Sequence, residues 1–197
     1  MIDPYVFCEE ISNHLKEDDV IVSSCGAACV VPIQALRLKQ GQRHIVNSGC
    51  ATMGYGLPAA IGACFAHGQK RVICFEGDGS IQLNIQELQT IVHYQLPIKV
   101  FVFNNKGYLS IRTTQKNYFD SRFVGEGAKS GVSFPNILMV SAAYKITVFG
   151  IFYHKEMSEV IDLVLDTDGP VVCDVMMDPN ISMRKTEFPI ILTKEGV

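Results

Sequence analysis

The sequence predicts an α/β fold, in which a doubly wound, mostly parallel sheet of about six strands carries helices on both faces. Apolar runs typical of strands alternate with helical patterns along the chain, as in sheets built from successive strand–helix–strand units. The apolar runs contain little polar alternation, so both faces of each strand should be covered. Hydrophobic residues make up 48% of the 197 residues and charged residues 19%, which excludes a disordered chain.

The first part of the chain predicts three helices, two strands and a glycine-containing turn. Apolar residues recur at helical spacing over 5–16, after a proline suited to a first helical turn. A short apolar strand follows over 20–24, and the small residues 25–28 allow the next helix to approach closely. Residues 53–66, rich in Ala, Gly and Leu, predict a buried helix, and residues 71–75 predict the strand after it.

The second part of the chain continues the alternation. Asn84 and Glu87 have the spacing of a capping box, so a helix is predicted to begin near Asn84. Residues 118–133 contain glycines and charges without periodicity, which predicts a mobile loop beside a site. The chain 1–197 is predicted to be a single domain with a C-terminal tail at 179–197. The remaining predicted elements are strands at 98–103, 147–150 and 171–175 and helices at 134–144 and 154–166.

The net charge and the cysteines indicate which kinds of binding partner and which cellular compartment the sequence favours. The net charge is −3 and the basic residues are scattered, which argues against nucleic acid and anionic membrane as partners. The seven cysteines form no C-x-x-C pair and mostly lie in apolar runs, as expected for reduced core thiols in a cytoplasmic protein. The sequence shows no export signal and no apolar run long enough to cross a bilayer. We therefore expect a soluble, cytoplasmic protein.

Oxygen-bearing residues follow two successive predicted strands. Asp78 lies between two glycines directly after the strand at 71–75, and Asn105 follows the strand at 98–103. Ligands in doubly wound sheets bind where strand ends converge. Magnesium prefers oxygen ligands, commonly one or two carboxylates together with phosphate oxygens. The pattern therefore predicts a magnesium site that holds a phosphorylated cofactor, although each motif taken alone could also be an ordinary turn or strand end.

At this point the sequence resembles a known family. The span 77–105 resembles the thiamine diphosphate signature, and residues 49–63 are similar to the preceding stretch of the acetolactate synthase group. The resemblance implies a thiamine diphosphate-binding fold. It also implies Asp78, Asn105 and the carbonyl of Gly107 as magnesium ligands. The cofactor-binding residues that it implies along the same span are Gly77, Gly79 and Ser80.

The resemblance assigns further residues to the thiamine part of the cofactor. Met53 would hold the cofactor in its bent shape, a role that suits an unbranched, polarizable thioether. The backbone near Ala51 would bind the aminopyrimidine ring, although the related proteins often have glycine at this position. Gly26 and Ala27 would contact the diphosphate. Residues 54–59 also fit a dinucleotide-binding pattern, but the polar segment before them is not a strand, which argues against it.

The implied function is a magnesium-dependent thiamine diphosphate-binding domain of an acetolactate synthase-like carboligase or decarboxylase acting on a 2-oxo acid. Thiamine enzymes use the cofactor as an electron sink. In this family the activating glutamate comes from a pyrimidine-binding domain of a neighbouring subunit. No matching domain is found in the 197 residues. The catalytic residue is therefore expected elsewhere, the isolated domain is expected to be inactive, and a homo-oligomer is implied.

Two alternatives remain open at this stage. The chain could be the naturally separate small subunit of a two-chain 2-oxo acid decarboxylase, which the reading frame upstream of Met1 would decide. It could also be a non-catalytic α/β module that binds a metal or nucleotide for regulation. The second alternative predicts no preference for thiamine diphosphate over ATP.

Overall fold

A computed structural model describes residues 1–181 of the chain. This part contains six strands and seven α-helices, which we number in chain order. The strands are β1 (Val20–Ser23), β2 (Arg43–Val46), β3 (Val72–Gly77), β4 (Ile98–Asn104), β5 (Thr147–Ile151) and β6 (Val171–Met176). The helices are α1 (Pro4–His14), α2 (Ala27–Ala35), α3 (Gly56–Ala66), α4 (Glu87–His93), α5 (Leu109–Tyr118), α6 (Ile137–Ala143) and α7 (Met157–Asp166).

The six strands form one parallel sheet with the order β2-β1-β3-β4-β6-β5. Buried side chains of α1, α2 and α7 form a core on one face of the sheet, and those of α3, α4 and α6 form a core on the other. The predicted α/β class with a doubly wound sheet is confirmed. Because the helices after β1 and β3 lie on opposite faces, a crevice opens between the ends of these two neighbouring strands.

An aromatic cluster packs against the strands that lead into this crevice. Phe7 of α1 contacts Phe75 of β3 and both Phe101 and Phe103 of β4, with ring centroids 5.6 to 6.3 Å apart. All four side chains are buried. Offset and edge-to-face aromatic pairs add stability beyond the burial of apolar area. The ends of β3 and β4 are thereby fixed relative to each other before any ligand binds.

The opposite edge of the sheet, where the strands begin, contains buried charges that are paired. Lys99 is 2% exposed, and its ammonium group donates to the carbonyls of Thr167 and Gly169 just after α7. Burial lowers the pKa of Lys99 to about 8. Arg71 forms two hydrogen bonds to the carboxylate of Asp19, at 2.5 and 2.8 Å. This edge therefore satisfies its buried polar groups within the protein.

Three features of the first half differ from the sequence predictions. Strand β2 and the start of α3 at Gly56, rather than at residue 53, were not anticipated. The predicted capping box is wrong, because Asn84 ends a 3-10 turn and α4 begins only at Glu87. The Asn84 amide instead donates to the carbonyl of Gly54 at 2.8 Å.

In the second half, α5 was not predicted, and it ends where the loop at 118–133 was predicted to begin. Most of the predicted tail at 179–197 lies outside the described residues. All seven cysteines are free, and six of them are buried. Within residues 1–181, none of the helices has both the length and the apolar character needed to cross a membrane.

His14 connects α1 to α7 and makes a testable contribution to stability. Its ring nitrogens lie 2.6 Å from Asp162 Oδ1 and 3.1 Å from Glu10 Oε1. Burial opposes protonation, but the hydrogen bonds to Asp162 and Glu10 outweigh it and raise the pKa of His14. A raised histidine pKa stabilises the fold below the ordinary value of about 6.5, and this contribution is lost as the pH rises through the raised value.

We expect wild type to be more stable than His14→Gln at low pH by roughly 0.5–1 kcal/mol, since Asp162 is mostly exposed and the pair is screened. The difference should vanish as the pH rises above the raised pKa of His14. Urea unfolding of both proteins across this pH range measures it. A difference that stays constant with pH would contradict the assignment.

Candidate cofactor and metal site

A cavity of about 350 Å³ lies at the carboxyl edge of the sheet, where β1, β3 and β4 end and α2 and α5 begin. Every residue that the sequence analysis assigned to the cofactor or the metal lines this cavity. These residues are Gly26, Ala27, Ala51, Met53, Gly77, Asp78, Gly79, Ser80, Asn105 and Gly107. The fold thus brings together segments that lie far apart in the sequence.

Asp78 joins the ends of β3 and β4. Its Oδ1 accepts a hydrogen bond from the backbone N–H of Gly79, and its Oδ2 accepts one from that of Gly107, both at 3.0 Å. The residue is 6% exposed. Burial raises the pKa of Asp78 to about 7, although the two backbone hydrogen bonds oppose the shift, and the nearby carboxylate of Asp174 adds to it. A bound cation would favour the ionised form.

Asn105 supplies an oxygen that has no protein partner. The residue is 5% exposed, and its side-chain Oδ1 is one of the buried polar atoms without a hydrogen bond within residues 1–181. An unsatisfied buried acceptor costs about 1–3 kcal/mol, so such atoms are rare unless a ligand completes them. No cluster of three or more His, Cys, Asp or Glu in the described part could hold a metal alone. The donors described here, on Asp78 and Asn105, are hard oxygens, a type of ligand that magnesium prefers.

The start of α2 adds an anion-binding feature to the same cavity. Gly26 precedes the helix with φ +55°, a left-handed conformation that glycine adopts at low cost. No side chain caps the first turn of this nine-residue helix. The backbone N–H groups at a helix N-terminus, with the positive end of the helix dipole, favour phosphate. The cavity therefore combines buried oxygen donors with an uncapped helix N-terminus, which is suited to an anion.

The turn before α3 is held by side chains below the cavity. Ser80 Oγ accepts from the N–H of Gly54 at 2.9 Å and pairs with Ser24 Oγ at 3.0 Å. Together with Asn84, which donates to the Gly54 carbonyl, this fixes the turn next to Met53. The Ser80 hydroxyl thus has partners within the protein, and its contact with a diphosphate stays a prediction.

Met53 and Ala51 reach the cavity from the segment before α3. Met53 is 37% exposed, so its thioether is accessible from the cavity side. Ala51 has φ +49°, in the left-handed region that favours glycine. This conformation gives a physical reason for the glycine that the family resemblance leads us to expect there. It also leaves the Ala51 backbone, rather than its side chain, as the group suited to bind a ligand.

The sequence analysis missed several residues of the site. Glu76 is fully buried below the cavity, with Oε1 unpaired, and burial raises its pKa to about 7. Leu109 and Ile111 of α5 form an apolar part of the cavity wall. A charged residue at the end of an apolar strand was a visible signal for Glu76. Leu109 and Ile111 were missed because helix α5 itself was not predicted.

Comparison with known proteins agrees with this geometry. The family model described as "Thiamine pyrophosphate enzyme, C-terminal TPP binding domain", TPP being thiamine diphosphate, matches residues 24–175. The chain is 36% identical over 177 residues to the acetolactate synthase large subunit of Cyanidium caldarium, which covers 90% of this chain and 30% of the relative. It is 34% identical over 169 residues to that of Pyropia yezoensis, covering 86% and 28% respectively.

A bacterial relative gives the same picture. The chain is 31% identical over 170 residues to the acetolactate synthase isozyme 2 large subunit of Escherichia coli (strain K12), which covers 86% of this chain and 30% of the relative. The chain therefore spans less than a third of the length of these relatives. From the extent of the family match and the identities to these large subunits, we conclude that this chain belongs to the thiamine pyrophosphate enzyme C-terminal TPP-binding domain family, as a TPP-binding domain of acetolactate synthase-like enzymes.

Proposed function

We propose that this domain binds thiamine diphosphate through Mg²⁺ and serves a carboligase or decarboxylase that acts on a 2-oxo acid. The observation that carries the proposal is the buried Asp78 carboxylate, which links the ends of β3 and β4 beside the unpaired oxygen of Asn105. Asp78, Asn105 and the carbonyl of Gly107 would hold the magnesium ion together with diphosphate oxygens. The start of α2 at Gly26 and Ala27 would receive the diphosphate.

The residues around the metal region would bind and orient the rest of the cofactor. When bound, the cofactor would supply an electron sink for the negative charge that develops on the former carbonyl carbon of a 2-oxo acid. Met53 would support the bent cofactor through its polarizable thioether, and the backbone at Ala51 would bind the aminopyrimidine. Leu109 and Ile111 would exclude water from one wall of the cavity.

The proposal includes a partner and a compartment. We propose that the activating glutamate comes from a pyrimidine-binding domain or subunit, so the isolated chain should bind cofactor without turning over substrate. A homo-oligomer would bring such a domain to the cavity. The relatives are large subunits of acetolactate synthase, and the chain covers only their TPP-binding portion. Free, mostly buried thiols are compatible with a reducing cytoplasm.

Calorimetric titration of the chain with thiamine diphosphate tests the cofactor and the metal together. We expect binding to be at least about tenfold tighter with Mg²⁺ than with excess chelator, a difference of about 1.4 kcal/mol. ATP should displace thiamine diphosphate poorly, because its base does not match the thiamine region of the cavity. Affinity independent of Mg²⁺, or equal competition by ATP, would instead favour a general nucleotide-binding module.

A further inference from the structure

Arg112 lies at the centre of a buried polar cluster behind the proposed metal region. Its Nε donates to Glu126 Oε2 at 2.5 Å, and the side chains are 18% and 10% exposed. Its two terminal nitrogens donate to the backbone carbonyls of Asn105 at 3.4 Å, Lys106 at 3.4 Å and Pro179 at 3.0 Å. One guanidinium group therefore joins α5, the loop after β4, the segment around Glu126 and the chain after β6.

Glu126 also contacts the loop after β4 through its backbone. The N–H of Tyr108 donates to the Glu126 carbonyl at 2.8 Å, and Gly107 forms an antiparallel bridge with Gly127. The Glu126 carboxylate receives a further hydrogen bond from the hydroxyl of Ser130 at 3.2 Å. The ion pair and the backbone bridge thus hold the same short loop, which we call the metal-ligand loop (residues 105–107), from one side.

A second contact holds the beginning of this loop. Asn104 Nδ2 donates to Asp174 Oδ2 of β6 at 3.2 Å, and Asn104 Oδ1 accepts from the N–H of Lys106 at the same distance. The backbone of Lys106 is left-handed, with φ +58°. The metal-ligand loop is therefore constrained at both ends before any metal is present. Asn104 fixes where the loop leaves β4, and Arg112 fixes the carbonyls that follow.

The chemistry of arginine suits this arrangement better than that of lysine. A guanidinium group presents five donors in a planar fork, so it can bind a carboxylate and several carbonyls at once, whereas an ammonium group is a flexible point charge. A buried ion pair adds little net stability compared with apolar packing, but removing one partner leaves a buried charge. The main contribution of the Arg112–Glu126 pair is therefore the position that it gives to the carbonyls of Asn105 and Lys106, rather than added stability.

We propose that Arg112 and Glu126 are a positioning pair for the metal-ligand loop, and that they set the affinity of the domain for Mg²⁺ without contacting the ion. This inference rests on the proposed function, because Asn105 and Gly107 are ligands only if that function holds. The backbone carbonyls of Asn105 and Lys106 accept hydrogen bonds from Arg112. The side chain of Asn105 and the carbonyl of Gly107 are therefore the groups of this loop that are available to a ligand in the cavity. Partners that orient metal ligands in this way commonly contribute 10–100-fold to metal affinity.

The first test measures amide hydrogen exchange in the metal-free full chain. In Arg112→Gln we expect the amide of Tyr108 to exchange at least about tenfold faster than in wild type, because its N–H donates to the Glu126 carbonyl and loses that partner when the segment is released. The amide of Phe101, inside β4, should be unchanged, which shows that the fold is intact. Arg122→Gln is the matched control, since it removes the charge of an exposed arginine from the same region.

The second test measures the Mg²⁺ concentration that gives half-maximal thiamine diphosphate binding. We expect this concentration to rise about 10–100-fold in Arg112→Gln, less in Arg112→Lys, and not at all in Arg122→Gln. If Arg112→Gln also loses protection at Phe101, its fold is affected, and Arg112→Lys is used in its place to test the Mg²⁺ requirement. The lysine variant keeps the positive charge and loses only the planar set of donors. Unchanged exchange at Tyr108, or an unchanged Mg²⁺ requirement, overturns the proposal.

The outcomes separate this inference from the proposed function. If wild type binds thiamine diphosphate with Mg²⁺ and Arg112→Gln does so equally well, the positioning role is wrong and the function stands. If wild type shows no Mg²⁺-dependent binding, the proposed function fails, and with it the role of the pair in metal affinity.

Discussion

Replacing Asp78 by alanine should abolish the Mg²⁺ dependence of thiamine diphosphate binding, with a loss of affinity on the order of 100-fold or more. Losing a direct ligand should exceed the 10–100-fold effect of removing an orienting partner. Asp78 is the carboxylate among the proposed ligands, and it also accepts the N–H groups of Gly79 and Gly107 that align the two strand ends. Calorimetric titration with and without Mg²⁺ measures the effect.

Asp78→Asn is the matched variant, because it keeps the shape of the side chain and removes the charge. Its amide can accept a hydrogen bond from one of the two backbone N–H groups but not from both. We expect the asparagine variant to lose Mg²⁺ dependence as the alanine variant does, while retaining a cooperative unfolding transition. Retention of a Mg²⁺-dependent affinity near that of wild type in both variants would remove Asp78 from the metal site.

The second large effect is expected from Gly107→Ala. A Cβ at this position would lie 2.1 Å from the backbone carbonyl oxygen of Glu126 and 2.7 Å from Arg112 Nη2, and Gly107 has φ +149°. The carbonyl belongs to the backbone and cannot rotate away. Overpacking typically costs 1–3 kcal/mol, and an unfavourable backbone conformation adds about 1–3 kcal/mol. We expect a loss of several kcal/mol in the free energy of unfolding, together with weaker Mg²⁺ binding.

Gly125→Ala separates steric contact from backbone strain. Gly125 has φ +64°, and no atom lies within 4 Å of the position that its Cβ would take. Only the conformational cost applies there, about 1 kcal/mol. Urea unfolding of both variants should therefore show a clearly larger loss for Gly107→Ala. Equal losses would mean that the contact between residues 107 and 126 does not constrain the loop.

The apolar runs alone were sufficient to predict most of the sheet and the position of Asp78 and Asn105 at strand ends, whereas the other cavity residues came from the family resemblance. Parallel strands buried on both faces are continuous apolar runs, so their ends are visible in the sequence, and ligands bind at those ends. Asp78 and Asn105 directly follow two such runs. Their convergence required only that the runs be neighbours in the sheet, as β3 and β4 are.

Elements with weak local signals were missed. Strand β2 has four residues, lies at the sheet edge and contains two basic side chains, so it lacks the apolar character of the central strands. Helix α5 is polar over most of its length, and Leu109 is its one buried residue. The local sequence of these two segments therefore resembles that of loops. Packing against the rest of the fold, which the local sequence does not show, stabilises them as a strand and a helix.

The error at Asn84 shows how tertiary contacts override local spacing. Asn84 and Glu87 have the correct separation for a capping box, but the side-chain amide of Asn84 donates to the carbonyl of Gly54, thirty residues earlier in the chain. The Arg112–Glu126 pair was not foreseen for the same reason. Arg112 and its partners belong to four separate segments, and no local periodicity connects them.

The unpaired oxygens at the carboxyl edge have a consequence for the evolution of this domain. Within residues 1–181, buried atoms without partners include Oε1 of Glu76, Oδ1 of Asn105 and Oδ1 of Asp174, all toward the ends of β3, β4 and β6. Each such atom costs about 1–3 kcal/mol of stability in the free protein. Substitutions that remove them should raise the melting temperature, and at Asn105, in the proposed metal site, the change should also weaken ligand binding, so we expect selection for binding to keep the free domain less stable than its sheet would allow.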